Sequence, residues 1–302
     1  MSDYPETVIL PTEQSKKTFE QFLTKIPDII KDADYDELYG YQLNPEGKSY
    51  NAPVAQALLF KYFKANDYKL TESIAQLTAS LKWRKEFKPL KAAYYETHDE
   101  KYKNIGYLTY KDESPANLKV ITWNLYGLTS PDVKNAKDYF KDLDGFVRWR
   151  IGLMEQAIGL LDFTNKENNY VAQIHDYSGV SFLSSDSSVK KIGKKVVQLF
   201  QAHYPEFLSA KYFLNFPFVL AWIYNFIVKN WFISAETVKK FHILHSGKDL
   251  VKEFKVPGLP KKYGGNGGDL KSQNYDVKLI KLSPYTEEIL KRNFENEADD
   301  VD

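Results

Sequence analysis

Apolar residues between Glu13 and Ala93 recur mostly three and four positions apart, as in Ala57, Leu58, Phe60 and Lys61 leading into Ile74, Leu77, Leu81 and Trp83. That spacing lines up one side of successive helices and predicts a helical N-terminal lobe. The intervening DADYDELYGYQLNPEGKSYNAP and KANDY are rich in Asp, Asn, Gly and Pro, which predicts turns and helix caps, and Pro89 closes the last strong helix. After about residue 104 short apolar runs near Leu118 to Leu125, Tyr170 to Tyr177, Lys211 to Phe216 and Phe241 to His245 alternate with helical segments. Strand, helix, strand repetition predicts an α/β domain with a mainly parallel sheet and crossover helices. From about Gly264 the periodicity fades through GGNGGD, read as a flexible connection, into a docked tail that ends in disorder at ENEADDVD. The expected units are a helical lobe over 1–103, a ligand-binding domain over 104–265 and a tail over 266–302.

One helix carries an anomaly. Wound at about 100° per residue, Phe146 to Leu161 gathers Phe146, Val147, Trp149, Ile151, Leu153, Met154, Ala157, Ile158 and Leu161 on one arc. Arg148, Gly152, Glu155, Gln156 and Gly159 take the other, expected to face solvent, yet Arg150 falls near the middle of the apolar arc. A guanidinium buried there loses its hydration unless an anion and hydrogen bonds replace the water. Either a protein carboxylate or the phosphate or carboxylate of a ligand meets that need, since arginine suits both. Arg148, turned to the other arc, is expected to matter much less. Asp142 and Asp144, just before, read as a helix start rather than an acid/base pair.

In VAQIHDYSGV the two-residue period of a strand puts His175 and Tyr177 on one face and Ile174 and Asp176 on the other. A phenolate can serve ferric haem as axial ligand, and a neighbouring donor such as His175 or Arg150 favours the ionised oxygen. Hydrogen-bonded roles in a sheet core are the plainer alternative for both residues. His203, His242 and His245 show no metal-ligand spacing and are assigned structural roles.

Composition narrows the chemistry. No cysteine is present, which excludes disulfides, thiolate zinc and iron–sulfur sites and a catalytic thiol. The 41 Lys and Arg against 40 Asp and Glu leave no net field to draw the molecule onto nucleic acid or an anionic bilayer, so charge-driven contacts must be local. The 22 Tyr and 19 Phe suit a large apolar pocket as well as an ordinary core. No basic, apolar leader opens the chain, and the greasiest stretch, Phe216 to Val228, is shorter than the roughly 20 residues a bilayer-spanning helix needs. GxSxG, GxxxxGK(S/T) and GxGxxG are absent, so hydrolase, nucleotidase and dinucleotide-binding readings lose their usual support and a non-enzymatic role is expected.

ALLFKYFKANDYKLTESIAQLTASLKWRKEF, QAHYPEFLSAKYFLNFP, TVKKFHIL and LPKKYGG stand in the order found in CRAL-TRIO, or Sec-fourteen-like, phosphatidylinositol-transfer proteins of fungi, which the chain resembles over about residues 55 to 265. The resemblance implies a CRAL-TRIO fold whose pocket is closed by a gate helix at about Phe216 to Phe232. It also implies phosphatidylinositol as a partner, with Glu206 and Lys240 at the lipid headgroup. DELYGYQLNPEG, WNLYG, FVRWRIGLMEQAIGLLDFT and NNYVAQIHDYSGVS resemble more narrowly a haem-binding branch of the family. For that branch the resemblance implies ferric haem b with Tyr177 as iron ligand, His175 beside it, and Tyr126, Arg150 and Lys211 as further contacts. It further implies a cytoplasmic protein with transient contact to endoplasmic-reticulum, microsomal or plasma membranes, acting in phosphoinositide homeostasis or a haem-linked stress response, and no nucleic-acid partner. A regulatory interaction module that transfers no ligand is the alternative.

Overall fold

A computed structural model describes residues 4–127, 141–179, 187–215 and 238–299. The expected helical lobe is present as α1 (Glu13–Thr24), α2 (Ile26–Ala33), α3 (Ala52–Ala65), α4 (Leu70–Phe87) and the short α5 (Pro89–Tyr94). Its ends follow local chemistry. Thr12 and Ser15 form a reciprocal cap on α1, and the Asn51 side chain accepts from the Val54 amide to start α3. Lys88, in the left-handed region at φ 53°, ends α4, and Pro89 opens α5 with its ring where no amide is needed. Between α2 and α3 a small hairpin, β1 (Glu37–Leu38) with β2 (Tyr41–Gln42), interrupts the helices.

The second half builds a five-stranded sheet in the order β3 (Gly106–Tyr110), β4 (Val120–Leu125), β5 (Val171–Asp176), β6 (Leu208–Leu214) and β7 (Phe241–Leu244). β3 pairs antiparallel with β4 and the remaining pairs are parallel. α6 (Leu143–Ile158) lies between β4 and β5, and α7 (Ser187–His203) between β5 and β6. One sheet face, with Ile121, Trp123, Ile174 and Leu214, buries against Phe254, Leu259 and Tyr263. The opposite face meets α6 and the helical lobe in the main core through Val120 and Val171. The proposed gate segment, 216 to 232, lies outside the described residues.

The tail departs from expectation. Helix α8 (Pro284–Asp299) enters the acidic segment expected to be disordered and continues to the last described residue. Tyr285, Ile289 and Leu290 pack on Leu90, and Ser283 and Thr286 donate to the Gly40 carbonyl at 2.7 and 2.9 Å. Burial of these apolar side chains fixes the helix where helix-forming propensity alone left the outcome open. The glycine stretch is not a loose connection either: the Gly267 amide donates to the Leu259 carbonyl at 2.8 Å, and a Cβ at Gly265 or Gly267 would collide with the backbone of residues 258–259.

Candidate ligand-binding site

Asp142 caps α6 by accepting from the Gly145 amide at 2.9 Å, as its position before the helix suggested. Beyond that cap, α6 is buried on both arcs. The polar arc expected in solvent faces the helical lobe, with Gly152 so close to Ala92 that a Cβ would strike its carbonyl. Glu155, on that arc, is 2% exposed and accepts from Arg84 Nη1 at 2.7 Å and from the Tyr204 hydroxyl at 2.6 Å. Arg148 is not idle: its guanidinium pairs with Glu96 and donates to the Phe87 carbonyl at 2.9 Å, tying α6 to the end of α4. The expectation that this arc faces solvent is corrected at Arg148, which is part-buried and paired.

Arg150 sits on the sheet side, 2% exposed. Its guanidinium lies 5.0 Å from the Phe200 ring centroid, and the Tyr126 hydroxyl favours its charged form. Nε and Nη1 find no hydrogen-bond partner, and no carboxylate pairs with it among the described residues. Burial lowers its pKa, with Tyr126 opposing the shift. A guanidinium nevertheless stays charged at any ordinary pH, so the cost of desolvation stands unrelieved.

Strand register explains who meets it. Asn124 on β4 pairs with His175, and His175 with Phe213, while Gln173 pairs with Lys211. Alternation therefore sends Tyr126, Gln173, His175, Tyr177, Lys211 and Phe213 to one face. The Tyr126 ring centroid lies 5.6 Å from that of His175 and 5.7 Å from that of Tyr177, and His175 lies 5.7 Å from Phe213. Lys211 Nζ stands 5.4 Å from the Phe213 centroid, and no carboxylate pairs with it among the described residues. Burial, reinforced by Arg150, brings its pKa down to about 7. Burial first, then Lys211 and Arg150, holds His175 well below the usual histidine range, so it is neutral. Burial raises both phenols, Tyr177 further because of Tyr126, whereas Arg150 partly offsets the shift at Tyr126. Tyr126, Tyr177 and Lys211 are nonetheless only partly occluded.

Tyr126, Arg150, His175, Tyr177 and Lys211, each singled out in the sequence, thus meet in one cluster of donors and cations that no anion among the described residues enters. It missed Asp176 behind them. That carboxylate, 1% exposed, accepts from Tyr263 at 2.9 Å, Asn215 at 2.8 Å, the Ser178 amide at 2.9 Å and Lys262 at 2.6 Å. Burial works to raise its pKa, but these donors prevail and keep it ionised, pinning the strand end from which Tyr177 projects. The only signal was its place beside His175 and Tyr177.

Glu206, just before β6, and Lys240, just before β7, form a second group: the 7 residues of β6, roughly 20 Å of strand, lie between Glu206 and the far strand end near Tyr177, whereas the Lys240 carbonyl accepts from the Lys211 amide at 2.7 Å. Glu206 is 2.9 Å from Lys64 and 3.7 Å from Lys240. Lys61 Nζ donates to the Asn169 and Glu206 carbonyls at 2.9 and 3.0 Å. Burial opposes ionisation of Glu206, but Lys240, Lys64 and Lys61 outweigh it and lower its pKa. Lys61 and Lys64 were overlooked as site residues, although a lysine inside the apolar run LLFKYF was a visible signal. His203 stacks on Trp83 at 4.2 Å and bonds Ser80, and His242 stacks on Tyr212 at 4.5 Å. No group of three or more His, Asp or Glu capable of holding a metal occurs among the described residues.

Comparison with known proteins adds to this geometry. Residues 91–265 match the CRAL/TRIO domain family. The phosphatidylinositol transfer protein SFH5 of Kluyveromyces lactis is 42% identical over 254 residues, covering 84% of this chain and 83% of the relative. Its Saccharomyces cerevisiae counterpart is 43% identical over 271 residues, covering 87% and 89%. A crystal structure of Sfh5 superposes with a TM-score of 0.87 at 40% identity, covering 95% of this chain and 99% of that one.

Proposed function

Because the chain belongs to the CRAL/TRIO domain family, in the branch represented by fungal phosphatidylinositol transfer proteins, we propose that it is a non-enzymatic carrier that holds a greasy ligand with an anionic end against Arg150 and Lys211. The observation that carries this reading is Arg150 itself, buried with Nε and Nη1 unpartnered. A carboxylate or phosphate accepted there would return the hydrogen bonds and counter-charge that folding removed.

Haem b fits these residues. Arg150 and Lys211 would take its two propionates, Tyr126, His175 and Phe213 would face its flat apolar ring, and Tyr177 would offer an oxygen to ferric iron. When bound, the group supplies a redox-active iron whose potential an anionic oxygen ligand lowers. The chain's own part is to hold and release a proton at the Tyr177 hydroxyl. Burial keeps that phenol protonated in the ligand-free protein, so ligation expels one proton and uptake strengthens as pH rises. Arg150 favours the ionised state of the neighbouring Tyr126.

Protein purified after expression with ample haem should show a Soret band, and Tyr177→Phe should shift or abolish it while leaving far-ultraviolet circular dichroism unchanged. An unaltered spectrum in the variant would remove Tyr177 from the role.

A second ligand reading rests on the group around Glu206. Lys64 and Lys240 share a single carboxylate, with Lys61 donating to the Glu206 carbonyl beside it, an excess of cationic side chains that suits the phosphate of a phosphatidylinositol headgroup. Transfer of labelled phosphatidylinositol between vesicles, lost in Lys240→Ala, tests it, and displacement of haem by the lipid tests whether the two ligands compete. On this reading the protein works from the cytoplasm, touching endoplasmic-reticulum, microsomal or plasma membranes, in phosphoinositide homeostasis or haem-linked stress. Cell fractionation that found it wholly luminal would reject that assignment.

A further inference from the structure

Helix α7 spans Ser187–His203 and contains Lys190, Lys191, Lys194 and Lys195 but no acidic residue, in a chain whose charges otherwise nearly cancel. At about 100° per residue Lys191, Lys194 and Lys195 share one arc with Gln198 and Gln201, and Val196, Leu199 and Phe200 fall opposite. The structure agrees with the wheel. Val196, Leu199 and Phe200 pack against the main core, whereas Lys191 and Lys194 are exposed and make no ion pair among the described residues. Among the described residues the acid that pairs with this arc is Asp144 on α6, 3.0 Å from Lys195, which leaves an excess of positive charge.

We propose that this arc of α7 is the face that docks on a bilayer bearing anionic phospholipids. The apolar side of α7 is already committed to the core, so the contact is electrostatic adsorption rather than insertion of the helix. A bilayer is favoured over another polyanion by what lies beneath. The Phe200 ring covers the Arg150 guanidinium at 5.0 Å, so a surface held by the lysines stands about one helix diameter, roughly 10 Å, from the ligand cluster. A carrier of a membrane-soluble guest has use for that proximity. The proposal rests on the carrier reading for its purpose, but not on haem being the guest.

The full chain is sedimented with vesicles of phosphatidylcholine alone and of phosphatidylcholine with phosphatidylserine. Binding should require phosphatidylserine and should fall at least tenfold when salt is raised from about 0.1 M to about 1 M, where the screening length drops to about 3 Å. The double variant Lys191→Glu, Lys194→Glu should lose binding at least tenfold at low salt. Lys17→Glu with Lys31→Glu, the same change in net charge on exposed positions of α1 and α2, should leave it within about twofold. Equal loss in both double variants would overturn the proposal, because net charge and not this face would then be responsible. Binding by the wild type that ignores salt or lipid charge would overturn it without any variant. So would failure to bind vesicles combined with retention on RNA through the same lysines. The Soret band of each variant is recorded in parallel: its absence from all of them, with vesicle binding as expected, would count against haem and leave the docking face standing.

Discussion

Two buried arginines divide the interior into a locked region and an open one. Arg84 on α4 is fully enclosed and fully answered: it donates to Glu37 at 3.0 and 2.8 Å and to Glu155 at 2.7 and 3.0 Å, and lies 4.7 Å from the centroid of the Tyr39 ring. Burial works against its charge, but Glu155 and Glu37 prevail and raise its pKa well above the usual value. Arg150 on α6 is as deeply buried, and no carboxylate answers it among the described residues. The first arrangement joins the β1–β2 hairpin, α4 and α6 into one body. The second carries a cost that an external anion can relieve. One residue type thus serves as a structural tie or as a binding group according to whether the protein supplies the anion.

The contrast breaks most visibly at Arg84. Arg84→Met would leave Glu37 and Glu155 buried without their cation, and the loss expected for breaking such a buried pair is about 3–5 kcal/mol. Urea unfolding should show it with or without ligand. A loss below about 1 kcal/mol would mean that the locked region is not locked by charge.

At Arg150 the sign reverses. Arg150→Met removes an unrelieved charge, so the ligand-free protein should be as stable as the wild type or more so. Ligand affinity should fall on the order of 100-fold, or about 2.7 kcal/mol. Equilibrium titration with haem and with phosphatidylinositol, run beside unfolding of the ligand-free variant, reads both quantities. A variant that loses stability but keeps affinity would place Arg150 among the ties.

The sequence revealed the open region better than the locked one, for a physical reason. Arg150 interrupts an apolar arc, and His175 and Tyr177 sit two apart on a strand, so local periodicity exposes them. Arg84 and Glu155 are 71 positions apart and meet only because α6 lies between the sheet and α5. A helical wheel assigns one face to solvent and cannot register that second neighbour. The same limit hid β3, where GYLTY joins as an antiparallel edge strand, and α8, whose docking depends on Leu90 and Gly40 far earlier in the chain. The four parallel strands were legible because each is a compact apolar run of its own.

The smallest effect tests the open region without touching Arg150. Lys211 has a pKa near 7 in the folded protein and about 10.4 in an unfolded chain. Below pH 7 both states carry its proton and the penalty of the buried charge is fully present. Between about pH 7 and 10 the unfolded state binds more protons, so the ligand-free protein should gain stability as pH rises, by less than about 1.4 kcal/mol per unit because Lys211 is partly solvated. Lys61 is also depressed by burial, so the measurable quantity is the difference between wild type and Lys211→Met across pH 7 to 9. An anionic ligand would restore the lysine pKa and flatten that difference, whereas Arg84, already paired, has nothing to restore. If the pH dependence survives saturation with ligand, the anionic end of the guest does not reach Lys211, and the open region contracts to Arg150 alone.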